Sequence, residues 1–100
     1  MANLLPAPHP GETIREDVLQ PLGMSVNRLA KALGITATRL NDVARGRRGI
    51  TADTALRLAR YLGTSAEFWL GLQFEYDLRM ARRTRLREIE KAVQPRPTAA

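Results

Sequence analysis

A chain of 100 residues, 44% hydrophobic and 26% charged, has room for one small globular domain with a modest core. It holds no cysteine and one histidine, which excludes a disulfide framework, a thiolate metal site and the usual Cys–His or multi-histidine centres. The net charge of +6 points to an anionic partner without naming it.

The opening MANLLPAPHPGE has no basic residue and no long apolar segment, so it does not read as a signal peptide. No apolar run approaches the ~20 residues that cross a bilayer, and the expected location is the cytoplasm, with no membrane partner. Residues 1–9 read as an irregular arm, since Pro6 and Pro8 oppose a helix start. His9 is expected to cap or pack rather than bind a metal, for lack of a second ligand nearby. Pro10 and Glu12 suit a first helical turn. The first helix is predicted to run to about Gln20 with Ile14, Val18 and Leu22 inward, and to end at Pro21 and Gly23.

Residues 24–48, MSVNRLAKALGITATRLNDVARGRR, read as two short helices and a tight turn. Ser25 is a good N-cap, and Val26, Leu29, Ala30 and Leu33 line one side. Gly34 breaks the pattern and Thr36 caps again; Leu40, Val43 and Ala44 then face inward before a stop at Gly46. The plan is that of a helix-turn-helix, whose second helix enters the DNA major groove. Its outward residues would be Ala37, Thr38, Arg39, Asn41, Asp42 and Arg45, none of them large and apolar, with Arg47 and Arg48 just beyond for the phosphate backbone. An ordinary helical hairpin would share this geometry, and charge separates the two readings. Residues 24–48 carry Arg28, Lys31, Arg39, Arg45, Arg47 and Arg48 against Asp42 alone, a balance of +5, whereas residues 1–23 and residues 49–78 each sum to −2. A basic hairpin between acidic flanks is the charge footprint of a nucleic-acid face.

Beyond a turn at Gly46 and Gly49, Ile50 reads as a hydrophobic staple and Thr51 as the N-cap of a fourth helix, with Asp53 in its first turn. Ala52, Ala55, Leu56, Ala59 and Leu62 would form its inner stripe, Arg57 and Arg60 its outer side, and Gly63 its end. Thr64–Glu67 reads as a capping box opening a fifth helix. That helix has two apolar lines, Phe68–Leu72–Tyr76 and Leu70–Phe74–Leu78, although a terminal helix has one face to give its own core. Phe68 and Leu72 are therefore assigned to the core, and Leu70, Phe74 and Leu78 to a homodimer interface. Residues 79–100 carry a balance of +5; Met80, Leu86, Ile89 and Val93 could extend the helix to about Val93 before Pro95 and Pro97 fray it.

Catalysis has little to work with. Glu16 and Asp17 are neighbours that point apart on a helix, and the other close carboxylates are Glu88 and Glu90. The seven glycines read as scattered helix stops rather than a phosphate loop. The chain is expected to be no enzyme, with no catalytic or metal-binding residue and no cofactor.

Four stretches taken together resemble the HigA family of antitoxins, which have the lambda-repressor-like (XRE) helix-turn-helix fold. They are the opening HPGE, LAKALG, RGRRGITADTALRLA and GTSAEFWL, within residues 9–78. The resemblance implies an all-α, five-helix domain and a bacterial antitoxin of a type II toxin–antitoxin pair. Such a protein binds its operator as a dimer, represses transcription, and neutralises a HigB/RelE-like mRNA-cleaving toxin. It would associate with the nucleoid. The resemblance also implies that Ala37, Thr38 and Asp42 fall at base-reading positions, and Ser25, Asn27, Arg39 and Arg48 at backbone contacts. Here the chain departs from the ordinary reader set: alanine can touch only a thymine methyl, and aspartate can accept only from cytosine N4. Readout would then lean on Thr38, Arg39 and Asn41. The expected division is an arm at 1–9, the helix-turn-helix domain with its dimerisation helix at 10–82, and a basic extension at 83–100, partly helical and then disordered. A stand-alone regulator of the same fold is the competing function, and a protein- or RNA-binding module using the basic tail is a third.

Overall fold

The computed structural model describes residues 8–97. Regular structure among them is helical throughout and forms the expected five-helix arrangement. Helix α1 covers residues 10–22 in three consecutive registers: an α turn at Pro10–Thr13, a π-helical stretch at Ile14–Leu19, and a last α turn at Gln20–Leu22. It is followed by α2 (Val26–Leu33), α3 (Ala37–Ala44), α4 (Ala52–Leu62) and α5 (Ala66–Ala92). Each helix sends one large side chain into a common centre: Ile14, Leu29, Leu40, Leu58 and Trp69 are all fully buried. Helix α5 packs along α4 and touches α1, while α1 also packs on α3 and α2 on α4. The 27 residues of α5 run well past this body, and they set the 55 Å long axis of the molecule.

The entry to α1 shows why the sequence HPGE is there. His9 is the N-cap: its backbone is extended and its Nδ1 accepts the Gly11 N–H at 2.9 Å. Its ring stacks edge-on against Tyr76 of α5, with centroids 4.8 Å apart. Pro10 occupies the first turn, where a missing N–H costs nothing. Gly11 is not a helix stop. It lies where α1 crosses the end of α3, and a Cβ there would meet the backbone carbonyls of Val43 and Ala44.

Burial lowers the His9 pKa below its ordinary 6.5; the Asp77 charge opposes this and the Arg15 charge adds to it. A base with a lowered folded-state pKa binds fewer protons folded than unfolded. Its contribution to stability is therefore complete above 6.5 and is lost as the pH falls through that value. We expect thermal stability to drop between pH 7.5 and 5.5, and the drop to shrink in His9→Ser, where a serine caps without titrating. An equal drop in both proteins would assign it elsewhere.

The structure departs from sequence expectations in three helices. In α1, Leu22 is 55% exposed and Leu19 is buried in its place. The π stretch is the cause: the Gln20 N–H reaches back five residues to Arg15, so the inner line shifts by one position. The wider turn also lies just ahead of Pro21, whose ring would otherwise meet a carbonyl four residues back. The helix reaches Leu22, two residues beyond the expected end, before Gly23 closes it in the left-handed conformation. In α4, Ala52 and Leu56 are exposed, the latter by 63%, and Thr54 and Leu58 are buried with Ala55. Thr54 faces inward because its hydroxyl accepts from Arg39 at 2.7 Å and from the Thr51 hydroxyl at 3.3 Å.

In α5 the cap sits one residue later than the box predicts. Ser65 is the N-cap, accepting from the Phe68 N–H at 3.0 Å, and the Thr64 hydroxyl accepts the Trp69 indole N–H at 2.8 Å. The inner line is therefore Trp69, Leu72, Gln73 and Tyr76. Phe68 is 47% exposed and lies edge-on against Trp69 rather than in the core. Leu70, assigned to a dimer interface, is half-buried against the core. Phe74 and Leu78 are exposed on the far side. Gln73, which periodicity would have turned outward, accepts the Ile50 N–H at 2.7 Å and so ties the turn before α4 to α5. Of the N-terminal arm, residues 1–7 lie outside the described residues, as do 98–100 of the extension; α5 passes position 83 without interruption.

Candidate nucleic-acid interface

The hairpin is built by its caps. Ser25 Oγ accepts the Arg28 N–H at 3.1 Å and opens α2. Gly34, at φ 72°, closes it, with the Ile35 N–H bonded to the Ala30 carbonyl at 3.1 Å. Thr36 Oγ1 accepts the Arg39 N–H, also at 3.1 Å, and opens α3. Each cap uses a hydroxyl oxygen as acceptor and leaves the O–H free to donate outward, as to a phosphate. Leu29, Ala30 and Leu33 of α2 and Leu40, Val43 and Ala44 of α3 are buried. The pairing of these faces fixes which side of α3 meets solvent.

That side presents Thr38, Asn41, Asp42 and Arg45, with Thr38 and Arg45 exposed and Asn41 and Asp42 half-exposed. Ser25, Asn27, Arg28, Lys31, Thr36, Arg47 and Arg48 are exposed around it. The sequence-predicted site residues on α2, α3 and the turn after it are thus open to solvent, with two qualifications. Ala37 is half-buried against the core, which limits any reach to a thymine methyl. Arg39 points toward α4 rather than outward, donating to the Thr54 hydroxyl at 2.7 Å and lying 3.5 Å from Asp53.

Asp42, unexpected on a groove-facing helix, is a local organiser. Its backbone carbonyl accepts the N–H groups of Arg47 and Arg48 at 2.8 and 3.2 Å, and its carboxylate lies 3.2 Å from the Arg47 guanidinium. The turn after α3 is thereby held with its two arginines beside the helix end.

Two further arginines fix the hairpin on the body, and sequence periodicity did not single them out. Arg57 reaches from α4 to the end of α2, where it donates to the Leu33 and Gly34 carbonyls at 2.9 and 3.3 Å, and to the Asp53 carboxylate at 2.6 Å. These are the otherwise unpaired last carbonyls of a helix. The Arg57 hydrogen bond holds the Asp53 carboxyl below its ordinary value, with the Arg57 and Arg39 charges acting in the same direction against partial desolvation. Asp53 thus links Arg57 at the end of α2 to Arg39 on α3. From α1, Arg15 donates to the Ala44 carbonyl at the other end of α3. Such arginines are visible in a sequence only as surface charge.

Residues 14–69 match the helix-turn-helix family. The chain is 56% identical over 79 residues to virulence-associated protein I of Dichelobacter nodosus, covering 79% of this chain and 73% of that one. Among solved structures, it is similar to an addiction module antidote protein of the HigA family from Coxiella burnetii. That likeness is 47% identical with a TM-score of 0.85, over 91% of this chain and 99% of the other. It is also similar to the Pseudomonas aeruginosa antitoxin HigA, solved with the higBA promoter, at 43% identity and a TM-score of 0.86 over 91% and 99% of the two chains.

Proposed function

Because the chain belongs to the helix-turn-helix family of HigA antitoxins, we propose that it is the antitoxin of a type II toxin–antitoxin pair. In this reading it binds operator DNA in the nucleoid as a homodimer, represses transcription, and neutralises a HigB/RelE-like mRNA-cleaving toxin. The observation that carries the DNA half is the surface described above. It combines the outward side chains of α3, two capped helix N-termini and a ring of exposed basic residues. Thr38, Asn41 and Asp42 read base edges from α3, with Ala37 at their margin. Ser25, Asn27, Thr36, Arg45, Arg47 and Arg48 bind phosphates, to which helix N-termini and guanidinium groups are both suited. Arg39 acts chiefly by positioning α3 against α4. That the Pseudomonas relative was solved with a promoter supports the DNA-binding half of the reading.

Asn41→Ala should weaken operator binding by ~1–3 kcal/mol and relax specificity at one base pair. Arg48→Ala should weaken binding to all sequences alike and reduce the salt dependence by about one unit of slope. Gel shifts on operator and scrambled DNA at two salt concentrations separate the effects, and unchanged binding in both variants would remove α3 from the interface.

Toxin neutralisation rests on kinship with antitoxins and on a surface suited to a basic protein. Helix α1 exposes Glu12, Glu16 and Asp17. Glu12→Lys/Glu16→Lys is expected to abolish rescue of growth from the co-expressed neighbouring toxin while leaving operator binding intact. If rescue survives, the toxin docks elsewhere; if the wild-type chain neither rescues nor co-purifies with an adjacent gene product, the stand-alone regulator is the correct reading.

A further inference from the structure

One line of α5 changes character along its length. Trp69, Gln73, Tyr76 and Met80 follow one another by four, three and four residues and so share one side of the helix. That side meets the body: Trp69 lies in the core, Gln73 holds the Ile50 N–H, and Tyr76 meets the His9 ring. Met80 is the last half-buried residue, and residues 81–97 are exposed throughout. The same spacing then brings Arg83, Arg87 and Lys91 onto this line. These three cations succeed one another at about one turn each and cover ~12 Å of helix past the body.

The basic turn after α3 adjoins the near end of this line. A Cβ on Gly46 would touch the His9 ring, and one on Gly49 would touch the Gln73 amide. Arg47 and Arg48, between those two glycines, are exposed. The charge of the overhanging row is also unbalanced. The ion pairs of α5 are Arg79–Glu75 and Arg85–Glu88, and among the described residues Arg83, Arg87 and Lys91 make none. Glu88 is taken by Arg85, which leaves Glu90 alone to set against three cations. Like charges four residues apart destabilise a helix, and a bound polyanion relieves that repulsion.

We propose that Arg83, Arg87 and Lys91 are a second phosphate-binding row, which grips the DNA backbone next to the stretch held by Arg47 and Arg48. This extends the operator-binding reading above and rests on it. A duplex seated on α3 has its backbone at the turn that carries those two arginines, and the row runs outward from beside that turn. Phosphate contacts position a protein without reading bases, so the row adds affinity and leaves sequence preference to α3. The row lies across α5 from the exposed line of Phe74, Leu78 and Ile89, so covering that line leaves the row open.

The test reads the salt dependence of DNA binding by the full chain. Arg83→Gln/Arg87→Gln is compared with Arg60→Glu, which lowers the net charge equally at an exposed site on α4. The probes are the promoter fragment ahead of the chain's own gene and a scrambled duplex of the same length. On both, the glutamine variant should lose about two units of salt slope per bound protomer, and about tenfold or more in affinity at low salt. The ratio between the two duplexes should stay as in wild type, and Arg60→Glu should keep the wild-type slope. Arg83→Lys/Arg87→Lys should also keep it, since lysine serves a phosphate as a point charge. An unchanged slope in the glutamine variant overturns the row. So does an equal fall in Arg60→Glu, which would make the effect one of overall charge, or a loss in the lysine variant, which would make it one of packing. A changed ratio between the duplexes would assign the arginines to base recognition and likewise overturn the proposal. A wild-type chain with no preference for the promoter fragment and no salt dependence would remove the operator reading and the row together.

Discussion

Gly11→Ala is expected to be the most destabilising single-methyl change in the chain. The added Cβ would stand 2.8 Å from the Ala44 carbonyl oxygen and closer still to that of Val43. Both are backbone atoms of a short helix whose other side is fixed in the core, so no rotamer change can relieve the clash. Overpacking costs about 1–3 kcal/mol where side chains can adjust, and the upper end applies where they cannot. At roughly 4–8 °C per kcal/mol for a domain of this size, the melting temperature should fall by about 12–24 °C. The harm also has a direction. Relieving the contact lifts α1 from α3, which loosens the Arg15 bond to Ala44 and the His9 cap together. Operator binding should therefore weaken in the folded fraction. A melting temperature within a few degrees of wild type would mean that α1 and α3 are not locked as described.

The same crossing shows what could be read from the chain and what could not. Helix count and the caps at Ser25, Thr36 and Thr51 follow from local rules: a hydroxyl that accepts the third N–H of a helix, a glycine at positive φ, and apolar spacing of three and four. Each holds in the structure. The misreadings in α4 and α5 share one physical origin, which is that a side chain's direction was taken from its polarity. Thr54 and Gln73 face inward because partners distant in sequence, Arg39 and Ile50, satisfy them. The apolar Leu56 and Phe68 remain largely exposed. In α1 the cause is different, since no periodic template contains the extra residue of a π turn. At the candidate interface, position could be inferred but availability could not. Arg39 occupies a favoured place on α3, yet its guanidinium is already engaged on the body of the domain.

If the proposed homodimer forms through α5, Phe74→Lys is expected to convert it into a folded monomer and to lower operator affinity by about 100-fold or more. Phe74 is 64% exposed in the single chain, so its replacement should leave the core and the helical content unchanged. In the pair it would carry the seam, and a lysine there both removes apolar area and buries a charge without a partner. The loss of DNA affinity follows from linkage. Two α3 helices on one dimer reach half-sites about one turn, ~34–36 Å, apart. Once the first is bound, the second meets its site at a high effective concentration, and losing that connection typically costs ~10²–10⁴ in avidity. Discrimination per half-site should persist, because no residue of the basic face has changed. Light scattering, circular dichroism and gel shifts on this variant settle the matter: a lysine variant that remains dimeric, or a monomer that binds the operator as tightly as wild type, would show that the exposed line of α5 has no part in holding the protein on DNA.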